Sequence, residues 1–111
     1  MIHLLYAKPS NEQMGEMLEE LTDYIKLAVD IERGTVAGGG ELHADCEAAL
    51  LENGSAQANI WGADWIPLTQ EARYQSLINI RPQQDNPSME LLDPVLRERV
   101  SAIVKGFFEG L

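Results

Sequence analysis

This chain has little cysteine and no long hydrophobic run. Its single cysteine, Cys46, rules out an internal disulfide and is typical of proteins from a reducing compartment. No stretch approaches the ~20 consecutive apolar residues that a transmembrane helix needs. The first six residues lack both a basic leader and an apolar run of signal-peptide length. We therefore expect a cytoplasmic protein without a membrane partner.

Basic residues are also scarce. Eight Lys and Arg residues stand against eighteen Asp and Glu residues, which gives a formal net charge of −10. Because proteins bind phosphate backbones by neutralising them with Lys and Arg, this excess of acid argues against a nucleic-acid partner. The acidic residues are spread along the chain, which is typical of a solubilising surface. A basic protein partner or a divalent cation would be the other use for them.

The remaining composition is that of an ordinary globular protein. Hydrophobic residues make up 45% of the chain, enough for one core in a single domain over residues 1–111. Short apolar or alternating runs predict strands at 2–6, 24–31, 35–37, 59–66 and 74–81. Apolar residues at helical spacing predict helices at 10–21, 43–53 and 93–107. The order β-α-β-β-α-β-β-α predicts an α+β fold, with a mainly antiparallel sheet of four or five strands and about three helices packed mostly on one face.

Several helix ends carry recognisable signals. Ser10 and Gln13 have the spacing of a capping box, and Asp93-Pro94 has the residue types of an N-cap and first helical position. Asn53-Gly54 has two interpretations. It can end a helix in the left-handed conformation, or it can be the turn of a hairpin with residues 46–51 as a strand. The preceding segment is poor in β-branched residues, which favours the helix.

The most specialised stretch is 35–47, where the glycines Gly38–Gly40 run into the ionisable residues Glu41, His43, Asp45 and Glu47. Consecutive glycines are costly to order, so we expect them where φ is positive or where another group approaches the backbone closely. The four side chains share one side of an extended segment, whereas in a helix only His43 and Glu47 share a face. If a divalent cation binds here, His43 and Asp45 are the predicted ligands. Otherwise they cap the following helix or hydrogen-bond to each other or to Arg81.

Asn79 and Arg81 complete the candidate polar site. In the predicted strand 74–81 they lie on one face, opposite the buried pair Ile78 and Ile80. The Arg81 guanidinium could bind a carboxylate or phosphate, or it could pair with the acidic segment. We expect pairing, because a partly buried arginine near carboxylates should not stay unpaired. The predicted partners within salt-bridge distance are Asp30, Glu41, Asp45 or Glu47.

Recognised catalytic and cofactor motifs are absent. The glycines are followed by Glu41 instead of the Lys-Ser/Thr of a phosphate loop, and no serine lies in a nucleophile elbow. No cofactor is therefore predicted. We expect a non-catalytic module that binds a protein or itself, most simply as a two-fold dimer, because short sheets leave exposed edges. The alternative is a metal-binding protein or metal-dependent enzyme that uses Glu41, His43 and Asp45.

Five short segments form a recognisable combination: Val29–Gly34, Gly39–Asp45 (GGELHAD), Gly54–Gln57, Trp61-Gly62 and Ile78–Pro82 (INIRP). Together they resemble a family of small prokaryotic proteins classed only as a domain of unknown function, over about residues 28–104. The resemblance implies a free-standing soluble protein and brings no catalytic residues. In that family the loop after the Ile-Arg-Pro segment usually reads Gly-Asn-Arg-Ser. Here it is Asp85–Ser88, without the arginine that would support anion binding by the loop.

Overall fold

The computed structural model describes all residues, 1–111, as one five-stranded antiparallel sheet with three α-helices. The strands are β1 (His3–Leu5), β2 (Ile25–Asp30), β3 (Thr35–Gly38), β4 (Ile60–Ile66) and β5 (Glu71–Arg73). The helices are α1 (Asn11–Met17), α2 (His43–Glu52) and α3 (Pro94–Phe108). This arrangement confirms the predicted α+β fold and the element order β-α-β-β-α-β-β-α. No helix is both long enough and apolar enough to cross a bilayer.

The strands are arranged in the order β1-β3-β2-β4-β5, so β2 is central and β1 and β5 are the edges. The β2–β3 hairpin turns through Glu32-Arg33-Gly34, where Gly34 has a φ of +68°. The buried Asp30 carboxylate holds this turn, because its Oδ1 accepts hydrogen bonds from the backbone of Glu32 at 2.9 Å and of Arg33 at 3.0 Å. The turn residues themselves thus fix the register between β2 and β3.

Two helices cover one face of the sheet and one helix covers the other. Helices α1 and α3 pack on the face that carries the large apolar side chains, where Trp65 and Phe108 stack with ring centroids 6.1 Å apart. Helix α2 packs on the opposite face through Cys46 and Leu50. The prediction that the helices lie mostly on one face is therefore confirmed.

The face under α2 is built from small side chains. Ala28 and Ala37 lie directly opposite each other on β2 and β3, and both contact the α2 cluster. Short side chains let a helix approach a sheet closely, so α2 packs tightly although it buries few large residues. The helix ends at Asn53, and Gly54 follows with a φ of +96°. This confirms the helical interpretation of the segment before Asn53-Gly54 over the hairpin.

Close packing explains the glycine triplet. Gly39 has a φ of +101°, and a Cβ there would lie 2.2 Å from the carbonyl oxygen of Met1. A Cβ on Gly38 would lie 2.8 Å from a methyl carbon of Leu27, and one on Gly40 would lie 3.1 Å from Cys46 Sγ. Both expected reasons for the triplet are found: a positive φ at its centre and close contacts on all three residues.

The predicted strand at 74–81 is wrong in its position and in its buried face. Strand β5 ends at Arg73, and the chain continues through a short 3₁₀ helix, Leu77–Asn79. Ile80 is exposed and Asn79 is buried, the reverse of the expected alternation. The Asn79 amide replaces a strand here, because its Oδ1 accepts from Gly62 N at 2.8 Å and its Nδ2 donates to Gly62 O at 3.1 Å. One side chain makes the two hydrogen bonds with β4 that a neighbouring strand would have made.

The helix starts agree with the signals predicted from the sequence. The Ser10–Gln13 capping box is present, and the Asp93 side chain accepts a hydrogen bond from Val95 N at 2.9 Å at the start of α3. The loop before α3 is irregular, and it is organised by the buried Asn86. Within this loop, Asp85 has a φ of +59°.

Candidate functional site: a cleft at the start of helix α2

A cleft of about 430 Å³ opens on the α2 face of the sheet, between the start of α2 and the chain that follows β5. On its sheet side lie Lys26, Asp64 and Arg73, directly opposite one another on the adjacent strands β2, β4 and β5. Leu42, Leu77 and Met89 form its rim. We call this site the α2 cleft. Its volume is within the range of small-ligand sites, roughly 300–1,000 Å³.

The centre of the cleft is a hydrogen-bonded pair between His43 and Asp64. His43 is the first residue of α2, and its Nε2 lies 2.8 Å from Asp64 Oδ1 and 3.1 Å from the Ala63 carbonyl oxygen. Both partners are acceptors, so we assign the hydrogen to Nε2. The His43 side chain is 11% exposed and the Asp64 side chain 9%. Helix α2 is thus tied to the sheet by a largely buried polar contact, which leaves His43 Nδ1 without a protein partner.

Two cations stand on either side of Asp64. Arg73 Nε lies 3.6 Å from Asp64 Oδ2, and the guanidinium carbon lies 4.9 Å from the ring centroid of Tyr24. Lys26 Nζ donates a hydrogen bond to the Glu41 carbonyl oxygen at 3.0 Å. Asp64 is the one acidic residue that lines the cleft. The cleft therefore presents a local excess of positive charge in a chain whose net charge is −10.

The rim of the cleft exposes large apolar side chains. Leu42 is 55% exposed and Leu77 is 72% exposed, and Met89 is also exposed. Single exposed apolar residues are ordinary, but three of them around one concave site are typical of a binding surface. The α2 cleft thus combines an apolar rim with charged groups on its sheet side.

Of the six candidate polar residues from the sequence, the structure places only His43 in the cleft. Asp45 is exposed and caps α2, since its Oδ2 lies 3.3 Å from the backbone nitrogen of Leu42. Glu41 is exposed and contributes its backbone carbonyl. Glu47 is half-buried, and its Oε2 has no hydrogen-bond partner. No group of three or more His, Cys, Asp or Glu side chains that could hold a metal ion is found. His43 and Asp45 bind different partners, Asp64 and the backbone nitrogen of Leu42.

Arg81 makes no salt bridge, so the predicted pairing with a carboxylate is wrong. The side chain is buried, lies 4.0 Å above the ring centroid of Trp61, and uses every guanidinium nitrogen on oxygens of the protein. Its acceptors are the carbonyl oxygens of Gln57, Ile60 and Ile78 and the Gln84 side chain. Burial lowers the pKa of Arg81, and the nearby Glu47 carboxylate partly opposes this shift.

The physical reason for this correction is the geometry of the guanidinium group. Its five N–H groups match several backbone carbonyls at once, and buried carbonyls must be satisfied. Arg81 therefore links the start of β4 to the loop after the Leu77–Asn79 turn. Arg81 and Asn79 are internal cross-links, and neither lines the cleft.

Sequence reasoning missed Lys26, Asp64 and Arg73. A signal was present for the first two, because each is a charged residue between two apolar residues of its strand. A charge at such a position is costly unless it is paired or lies in a site. The register that brings the three residues side by side depends on tertiary pairing, which the sequence alone does not show.

Residues 3–107 match a family described as "Protein of unknown function (DUF5674)". This match confirms the resemblance to a domain of unknown function. No curated protein and no solved structure matches the chain. Since the family description carries no activity, function has to be argued from the α2 cleft.

Proposed function

Because the chain belongs to the family described as Protein of unknown function (DUF5674), we propose its function from the geometry of the α2 cleft. The protein is a non-catalytic module that binds a segment of a partner protein in this cleft. The observation that carries the proposal is the ring of exposed apolar side chains, Leu42, Leu77 and Met89, around a concave site with charged groups. Burial of apolar area contributes roughly 25 cal/mol per Å², so covering this rim would drive association.

Binding is favoured over catalysis because the cleft lacks an available serine or cysteine nucleophile. Ser76 lines the cleft but is buried, and its hydroxyl accepts a hydrogen bond from Ile78 N at 3.3 Å. Cys46 is buried next to the sheet, and burial raises the pKa of its thiol to about 11. A thiol with this pKa stays protonated near neutral pH and is a poor nucleophile. The His43–Asp64 pair therefore has no available serine or cysteine nucleophile to activate.

Two alanines on one helix give a matched test. Ala44 is exposed and lines the cleft, whereas Ala48 is exposed one turn further along α2, outside it. Peptides would be selected from a random library against the parent protein, and their dissociation constants measured by fluorescence anisotropy. We expect Ala44→Trp, which fills the cleft, to weaken binding at least about tenfold and Ala48→Trp to leave it within about twofold. Failure to select any peptide, or equal affinity for both variants, would contradict the proposal.

Self-association is a second candidate function, supported by a different surface. β1 is an edge strand, and the exposed Ile2, Leu4 and Tyr6 alternate along it and so share one side. Unpaired edges with apolar side chains are templates for strand pairing, and a two-fold dimer is the simplest closed result. We expect a dimer by sedimentation at micromolar concentration and a monomer for Leu4→Lys. A parent protein that sediments only as a monomer would remove this candidate.

A further inference from the structure

We propose that the α2 cleft binds the C-terminal residue of a partner chain, with its apolar side chain against the rim and its free α-carboxylate between Arg73 and Lys26. This inference rests on the proposed function, since it specifies which part of a partner enters the cleft. Two observations support it. The cleft holds two cations, Lys26 and Arg73, and a single carboxylate, Asp64, and these charged groups lie next to the apolar rim.

Arg73 has unused hydrogen-bonding capacity. Only its Nε lies within 4.0 Å of Asp64, and neither terminal nitrogen has a hydrogen-bond partner in the protein. Its side chain is 52% exposed, and Tyr24 lies under the guanidinium group. A guanidinium held in this way can receive a carboxylate through two parallel N–H···O bonds. Lys26 keeps further N–H donors after its bond to the Glu41 carbonyl oxygen.

Asp64 does not cancel this attraction. Its Oδ1 is bound by His43 Nε2, its Oδ2 faces Arg73 Nε, and the residue is buried. The carboxylate keeps its charge, so Lys26, Arg73 and Asp64 together leave the cleft with an excess of one positive charge. Its contacts with His43 and Arg73 hold these two side chains in place. The cleft also lies at the N-terminal end of α2, where the helix dipole favours an anion.

The net charge of the chain limits which anions can bind in the cleft. A net charge of −10 repels polyanions, whereas a single carboxylate lies within the ~8 Å screening length of the local cations. The apolar rim requires an apolar group beside that carboxylate. The last residue of a chain carries both groups on one Cα, and capture of a C-terminal carboxylate is a known mode of peptide recognition. An apolar C-terminal residue thus fits the cleft better than a phosphate-rich or internal acidic segment.

The experiment compares one peptide in two forms against two arginine variants. Peptides with free C-termini would be selected on the parent protein, and the best would be synthesised as the free acid and as the C-terminal amide. Arg73→Gln removes the proposed contact. Arg97→Gln is the matched control, because Arg97 has a similar exposure, 49%, and lies 4.7 Å above Tyr74 beside Glu90, outside the cleft. Thermal unfolding would verify that the variants fold, and Lys26→Gln is a second cleft variant.

We expect the amide to bind the parent protein at least about tenfold more weakly than the acid. Arg73→Gln should weaken binding of the acid by a similar factor and leave binding of the amide unchanged. Lys26→Gln should weaken binding of the acid only, and Arg97→Gln should change neither.

Equal binding of acid and amide that is lost in Ala44→Trp would overturn this inference while the proposed function stands. Absence of any peptide binding would overturn both. Octanoate is the last probe, and binding of octanoate as tight as that of the peptide would identify a free acid as the occupant and overturn the assignment to a partner chain.

Discussion

The two faces of the sheet use different side chains for different purposes. The face under α1 and α3 carries large, fully buried side chains such as Trp65, which stacks on Phe108 of α3. The face under α2 carries Ala28, Ala37 and Gly62, followed towards the cleft by charged residues. Hydrophobic stabilisation grows with the apolar area removed from water, so the first face supplies most of it. The second face supplies close backbone contacts and the polar site.

This difference explains where the cleft forms. Small residues bring α2 and the Leu77–Asn79 turn close to the sheet, and they leave no large side chain to fill the space between these two elements. The row of Lys26, Asp64 and Arg73 lies in that space and is only partly covered. A face that contributes less to the core can therefore carry exposed charge and apolar rim residues at little cost in stability.

The largest expected effect tests the α1/α3 face. Trp65→Ala should lower the free energy of unfolding by roughly 3–5 kcal/mol, because it removes a fully buried large side chain and leaves a cavity. Leu42→Ala, at the exposed rim of the cleft, should change it by less than about 0.5 kcal/mol. Both values can be measured by urea unfolding. Similar costs for the two variants would contradict the division between the faces.

The next-largest effect is expected at Asn79, whose side chain bonds to β4 in place of a neighbouring strand. Asn79→Ala should cost roughly 2–4 kcal/mol, because it leaves the buried N–H and C=O groups of Gly62 without partners. Asn53→Ala, at the exposed end of α2, should cost about 1 kcal/mol or less. If Asn79→Ala were as mild as Asn53→Ala in urea unfolding, the pairing with β4 would not be structural.

Two glycine-to-alanine substitutions test how closely the chain at Ser76 approaches β4 on the α2 face. Gly62→Ala would place a Cβ 2.6 Å from the Cβ of Ser76 and should cost roughly 1–3 kcal/mol. Gly106→Ala, in α3 with no atom within 4 Å of the new Cβ, should instead stabilise by roughly 0.4–1 kcal/mol. Thermal unfolding should therefore show changes in stability of opposite sign for the two variants. A Gly62→Ala variant as stable as the parent would show that the chain at Ser76 can move away from β4.

The smallest effect is a dependence on pH at Cys46. Burial raises the pKa of its thiol from 9.0 to about 11, so the folded state favours the protonated form. The contribution is complete below about pH 9 and is lost as the pH rises towards 11, because the unfolded thiol ionises first. Between pH 8 and pH 10 the parent should lose about 1 kcal/mol more unfolding free energy than Cys46→Ala. Equal losses of unfolding free energy in the parent and in Cys46→Ala would contradict a raised pKa of the Cys46 thiol.

The sequence predicted elements whose signals are local. The Ser10 and Asp93 caps and the glycine after α2 follow from the preferences of neighbouring residues. The segment 74–81 could not be predicted this way, because the bonds from Asn79 to β4 are tertiary and override the alternation of its apolar residues. The dimeric state and the cytoplasmic location stay predictions.

The candidate site was predicted only in part, for the same physical reason. His43, a predicted residue of the site, lines the cleft, but its partner is Asp64 on a distant strand instead of the neighbouring Asp45. Arg81 was expected to pair with a carboxylate. It binds backbone carbonyl oxygens instead, and these come close to Arg81 only in the folded chain. Spacing along the chain shows which residues share a helix face, but not which strand lies beneath that face.

The most direct measurement is amide chemical-shift mapping by NMR, in which labelled protein is titrated with a selected peptide. If the α2 cleft is the binding site, the largest shifts should occur at residues 42–44 and 73–78, around the cleft, with no comparable changes along α3. Shifts centred on α3 or on the β1 edge, with the cleft unchanged, would contradict the assignment of function to the α2 face.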